Sequence, residues 1–182
     1  MGGAALVLAE QARPGSFESL YLFEPIVFPR RDVSVDPATH PLAVGALRRR
    51  EVFESRDVAY DNYASKPPLA SLHPDALRAY VDHGFADLPD GTVRLKCRGA
   101  DESAIYASST SHHAFDHLDL VRCPVTVAGG ADGGAPALNA SGVAEALPVG
   151  MFDDVPVVGH FGPLEDPEGM AERIAAAFAE AS

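Results

Sequence analysis

The last third of the chain constrains the fold most. From Pro124 it reads "PVTVA", a glycine-rich turn "GGADGG", a helix over Leu138 to Leu147, a strand over Val155 to Val158, the turn "GHFGPLEDPE" and a helix over Pro167 to Ala181. Strands separated by a helical crossover pair in parallel, and a parallel sheet is covered on both faces. An aromatic run near the other end, Ser19 to Phe23, reads as a further buried strand stopped by Pro25. The predicted class is therefore α/β, with about three parallel sheet strands.

The stretch between these strands reads differently. A proline- and charge-punctuated loop runs from Pro29 to about His40. Pro41 to Phe53 carries Leu42, Leu47 and Val52 near helical spacing. "SRDVAYDNYASKPP" gives a second helix halted by Pro67-Pro68, and "HPDALRAYVDHGF" a third, with Pro74 in its first turn and Gly84 at its end. Asp90-Gly91 turns the chain into a strand over Thr92 to Cys97, and "DESAIYASS" resumes helix. The expected organisation is an opening helix and strand over 1–28, a mostly helical insertion over 29–118, and the closing strands and helices over 119–182. Leu69, Leu72 and Phe85 are expected in the core of the insertion. Tyr60, Tyr63 and Tyr106 either line a pocket or pack the insertion.

The opening "MGGAALVLAE" is apolar all round, which suits a helix buried within a domain. Three strands are few for 182 residues. The strand Ser19 to Phe23 is expected to keep an unpaired edge and the opening helix to lack a partner surface. Self-association through that edge, poor solubility or dependence on a partner chain follows as an expectation.

Charge narrows the partners. A net charge of −12 repels phosphate backbones and anionic lipid, so no nucleic acid and no membrane partner is expected. The basic cluster Arg48-Arg49-Arg50 reads as a solvated face. No apolar run approaches the roughly 20 residues of a membrane helix. The opening lacks the basic region of a signal peptide, so a cytoplasmic protein is expected. Cys97 and Cys123 read as buried free thiols, with a disulfide left open.

Functional side chains of parallel sheets gather beyond the carboxyl ends of the strands. Glu24, Asp132 and His160 fall there. An acid and a histidine on neighbouring strand-end loops can pair, the carboxylate fixing the imidazole so that its other nitrogen takes a proton from a nucleophile. Asp132 in "GADGG" is also an ordinary turn residue, Glu24 an ordinary strand-end carboxylate, and His160 before Phe161-Gly162 an ordinary packed histidine. "SHHAFDH" brings His112, His113, Asp116 and His117 together, but Ala114 stands where a His-x-His-x-Asp-His zinc motif needs its second histidine.

The opening and the two closing turns together resemble the C-terminal half of an α/β-hydrolase. In that family the nucleophile sits on a G-x-S-x-G elbow, and the acid and then the histidine follow. "MGGAALVLAE" is similar to the tail of such an elbow, with Met1 directly after the serine, Gly2 as the closing glycine, and Gly3, Ala4 and Ala5 letting the helix pack closely on the sheet. "LFEPIVFP" resembles the strand after the elbow helix. "RREVFESRDVAYDNYASKPPLASLHPDALRAYVDHGF" resembles the helical cap of esterases, lactonases and epoxide hydrolases.

The resemblance implies a small-molecule acyl substrate such as an ester or lactone, and no cofactor or metal. It implies His160 as base and then acid, with Asp132 orienting it. Glu24 stands where some members carry the acid instead. The Met1 N–H would be one oxyanion donor. The nucleophile, serine or in some relatives aspartate, would immediately precede Met1, so the chain alone is expected to be inactive. Ser109, Ser111 and Ser141 lie outside any G-x-S-x-G. The competing readings are a non-catalytic, self-associating module and a zinc hydrolase built on the His112 cluster.

Overall fold

The computed structural model describes residues 1–29, 40–109, 111–132 and 134–180. In chain order the elements are α1 (Gly2–Ala12), β1 (Leu20–Phe23), α2 (Pro41–Leu47), β2 (Val52–Phe53), α3 (Arg56–Ala64), α4 (Pro74–Gly84), β3 (Phe85–Asp87), β4 (Val93–Leu95), α5 (Gly99–Ser108), β5 (Val125–Gly130), α6 (Ala135–Ala146), β6 (Gly150–Val155), α7 (Gly162–Glu165) and α8 (Pro167–Glu180). Short 3-10 turns lie at Leu69–Ser71 and Phe115–Leu120. The loop expected from Pro29 to His40 falls, over 30–39, outside the described residues. The chain forms two compact units, Met1–Asp32 with Thr110–Ser182, and Val33–Ser109.

The first unit is built on a parallel sheet in the order β1-β5-β6. Side chains alternate along β1, as the pleat requires. Leu20 and Leu22 enter a core with Ala4 and Val7 of α1, Val125 and Val127 of β5, and Val143 of α6. Tyr21 and Phe23 point to the opposite face, against Ala128, Val155, Val158 and Met170 of α8. Helices therefore cover both faces. Asp166 starts α8 by accepting the Gly169 N–H at 3.0 Å, with Pro167 pre-set for the first turn. Arg173 of α8 and the Tyr21 hydroxyl both bind Asp153 of β6, at 2.5 and 2.7 Å, tying helix to sheet.

The last strand lies earlier than its sequence suggests, at Gly150–Val155 rather than Val155 to Val158. Among the described residues it is an edge strand, with exposed Met151 and Phe152 and two aspartates, so no apolar run marks it. The residues Val155 to Val158 instead begin the turn toward His160.

The second unit is less helical than expected. β2, β4 and β3 form a small antiparallel sheet. The helix expected over Pro41 to Phe53 ends at Leu47 because Val52 and Phe53 pair with β4. Phe53 and Phe85 meet edge to face at 5.8 Å, and Tyr63 and Tyr80 close the cluster. Arg49 is no solvated cation. Its guanidinium binds Glu102 at 2.5 Å and the Tyr80 hydroxyl at 3.0 Å, joining α5 and α4 to the end of α2.

Ala114 and Leu118, expected in the insertion, belong to the core of the sheet unit, so the inserted unit is shorter than 29–118. Both cysteines are free, with Cys123 buried and Cys97 exposed, against the expectation that both are buried. No helix among the described residues is long and apolar enough to cross a membrane.

Candidate active site at the strand ends

β1 ends at Phe23, and the next residue carries the site. Glu24 continues the ladder, its N–H bonded to the Ala128 carbonyl at 2.8 Å, but its φ is +44°. That left-handed backbone costs a glutamate about 1–3 kcal/mol. The side chain there is 1% exposed. Two donors meet it there. The Gly130 N–H, from the end of β5, reaches Oε1 at 3.0 Å. The His160 Nδ1 reaches Oε2 at 2.5 Å.

An ionised carboxylate only accepts, so Nδ1 carries the hydrogen and donates it to Glu24. The neutral imidazole then holds its lone pair on Nε2. The His160 side chain is 47% exposed while its partner is buried. The arrangement can take a proton at an accessible nitrogen and stabilise the imidazolium from behind.

Close backbone contacts lock the three loops together. A Cβ on Gly130 would stand 2.7 Å from the carbonyl oxygens of both Val158 and Gly159, so only glycine lets β5 end against the His160 loop. The Ala131 N–H bonds the Val158 carbonyl at 2.8 Å. A Cβ on Gly162 would stand 2.5 Å from Phe23 Cζ. On the other side, Asn139 of α6 donates to the Val27 carbonyl at 2.7 Å, holding the loop that follows Glu24. Gly3 of α1 packs on Pro25, where an added Cβ would come within 2.9 Å. Met1 is the N-cap of α1, with no capping side chain. The first turn of α1 thus lies against Pro25, the residue that follows Glu24.

The sequence ranked the acids in the other order. The carboxylate on His160 is Glu24, and Asp132 does not replace it. Asp132 is exposed, in the turn after β5, and lines an open cleft of about 370 Å³ with Gly129, Leu138, Phe152 and Asp154, a cleft that neither His160 nor Glu24 lines. Gly130 was missed altogether, and Glu165 stood in the sequence only as the first residue of the Glu165-Asp166-Pro167 run after His160, with no role in holding the loop. Their signals were a glycine ending the strand opposite Glu24 and a glutamate five residues beyond His160.

The other candidates resolve as follows. Tyr63 and Tyr80 take part in the aromatic cluster, Tyr106 donates to Glu102 at 3.3 Å, and Tyr60 lies under Arg78 at 4.2 Å. Leu72 and Phe85 are buried and Leu69 is partly so. His113 pairs with Asp116 at 3.5 Å, and the His112 Nδ1 accepts the Ala114 N–H at 3.3 Å. Among the described residues no group of three or more His, Cys, Asp or Glu side chains is placed to hold a metal ion, so the zinc reading of this cluster lacks its ligand set.

No protein-family profile matches the sequence, and no curated protein sequence does. Solved structures do match. The peroxisomal α/β-hydrolase Lpx1 from Saccharomyces cerevisiae superposes with a TM-score of 0.81 at 18% identity, over 98% of this chain and 50% of that one. The fold is that of the α/β-hydrolases. E-2-(acetamidomethylene)succinate hydrolase matches with a TM-score of 0.70 at 20% identity, over 98% of this chain and 63% of that one. An esterase from Mycobacterium tuberculosis matches with a TM-score of 0.62 at 16% identity, over 97% and 57%. The chain therefore spans about half to two thirds of the length of these hydrolase-fold proteins.

Proposed function

We propose that the chain carries the acid–base part of an α/β-hydrolase site that cleaves a small ester, lactone or similar acyl substrate. The buried Glu24 carboxylate on a half-exposed His160, brought together beyond the carboxyl ends of β1 and β6 with β5 between them, carries the reading. His160 Nε2 takes the proton of the attacking hydroxyl as its oxygen adds to the acyl carbon, then gives that proton to the departing oxygen. In the second half of the cycle the same nitrogen takes a proton from water and returns it to the nucleophile. Glu24 keeps Nδ1 protonated throughout and stabilises the charged ring. The reaction in this form uses no cofactor.

The nucleophile in this reading is a serine joined directly ahead of Met1, with an aspartate as the variant for other leaving groups. The packing of α1's first turn on Pro25, the residue that follows Glu24, supports that position. The Met1 N–H then serves as one oxyanion donor. A fluorophosphonate probe tests it. A form extended ahead of Met1 by the remaining sheet strands is expected to label at that serine, and His160→Ala to abolish labelling. The 182-residue chain alone is expected to stay unlabelled. Labelling of that chain at Ser109, Ser111 or Ser141 would overturn the reading.

A second reading rests on another observation. Among the described residues β1 pairs only with β5, and α1 turns Ala5, Leu6, Leu8 and Ala9 outward. By itself the chain is then a self-associating module. Sedimentation velocity is expected to show concentration-dependent oligomers that Leu6→Lys weakens, and a strictly monomeric chain would contradict it.

A further inference from the structure

We infer that Glu165 is a positioning residue for His160, an assignment that rests on the acid–base reading above. Its side chain and its backbone grip the histidine from both sides. The Oε2 oxygen accepts the N–H of Gly159, immediately before His160, at 2.6 Å. The Glu165 N–H bonds the carbonyl of Phe161, immediately after His160, at 3.0 Å. Gly162 N–H closes the inner turn on the Gly159 carbonyl at 3.1 Å. The ring of bonds fixes the backbone of residues 159–161 independently of the imidazole.

The fit is close. A Cβ on Gly159 would stand 3.2 and 3.4 Å from the two carboxylate oxygens, so glycine is what allows the carboxylate to lie along the backbone. A hydrogen bond from a backbone N–H to a carboxylate is stronger than one to a neutral acceptor. The next residue, Asp166, caps α8. Glu165 therefore sits between a long helix anchored on the sheet and the one loop residue whose ring must stay on Glu24.

That placement has a chemical consequence. The imidazole changes charge in every turnover, and its bond to Glu24 survives only if the backbone beneath it does not swing. β1 fixes Glu24 and β5 fixes Gly130, but His160 lies on a loop, and a loop is where such geometry is lost. To the contacts of Gly130 and Ala131 with Val158 and Gly159, Glu165 adds a constraint on both sides of His160 without touching substrate or the reacting atoms.

The test is proton and nitrogen magnetic resonance of the 182-residue chain, observing the His160 Nδ1–H signal of the bond to Glu24. Glu165→Ala is expected to lose that signal through exchange while the amide spectrum of the sheet is kept. Glu165→Gln keeps an oxygen acceptor for Gly159 and is expected to retain it. A variant that merely loosened the fold would not separate alanine from glutamine at this one resonance. Retention of the signal in Glu165→Ala, or its equal loss in both variants, would overturn the assignment. Should the alanine variant fail to fold, the glutamine variant and the exchange of the Gly159 amide in the unmodified chain decide. An unprotected amide, or a signal lost with glutamine, refutes the inference. The readout needs neither substrate nor nucleophile, so its failure is distinct from a failure of probe labelling.

Discussion

Glu24 satisfies two donors with one buried carboxylate, and its cost in backbone strain makes sense only through them. Glu24→Ala leaves the Gly130 N–H and the His160 Nδ1–H without their acceptor. Each unmet buried donor costs about 1–3 kcal/mol, though relief of strain and exposure of His160 offset part of it. The expected net loss in urea unfolding is about 1–3 kcal/mol. Asp132→Asn changes an exposed turn carboxylate, and its expected effect stays within about 0.5 kcal/mol. A larger loss from Asp132→Asn than from Glu24→Ala would reverse the ranking of the two acids.

At the level of elements, glycines set how closely strand ends and loops approach. Gly162→Ala would place a methyl group 2.5 Å from Phe23 Cζ and 2.7 Å from Val158 Cγ2, and is expected to destabilise by about 1–3 kcal/mol in thermal unfolding. Gly142, inside α6, has nothing within 4 Å of an added Cβ, so Gly142→Ala is expected to stabilise by about 0.5–1 kcal/mol. Equal effects from the two would contradict the packing described. The parallel sheet was legible in the sequence because β1 and β5 are mostly apolar and have no exposed position. β6 was misplaced because, with exposed Met151 and Phe152 and two aspartates, it lacks that pattern. In the inserted unit the strand expected over Thr92 to Cys97 is β4, while its partners β2 and β3 were missed because they are two and three residues long and adjoin helices. Glu24 ranked below Asp132 because both stand at strand ends. What separates them is the positive φ at Glu24 and the approach of Gly130, and neither leaves a mark in residue order.

Across the whole molecule, carboxylates set the response to acid. In the inserted unit, hydrogen bonds from the Gly99 N–H and Arg98 hold Glu51 below the ordinary carboxylate range. Arg56 does the same for Asp87, and the hydroxyl and N–H of Thr92 for Asp90. A group whose pKa falls on folding adds stability above its unfolded value, near pH 4, and loses it as pH drops through the folded value. Stability of this unit is therefore expected to decline below about pH 4, and added salt to shrink the effect because the pairs are exposed. Four of the five tyrosines, Tyr60, Tyr63, Tyr80 and Tyr106, lie in this unit, so near-ultraviolet circular dichroism reports on it. A tyrosine signal unchanged to pH 2 would contradict the assignment of these pairs.

The site rests on the pairing of His160 with Glu24. Its most direct test is the His160 Nδ1–H resonance in three forms of the chain: unmodified, Glu24→Ala and Asp132→Ala. The expected result is a downfield signal in the unmodified chain that persists in Asp132→Ala and disappears in Glu24→Ala. A signal that survives loss of Glu24 and vanishes with Asp132 would contradict the account.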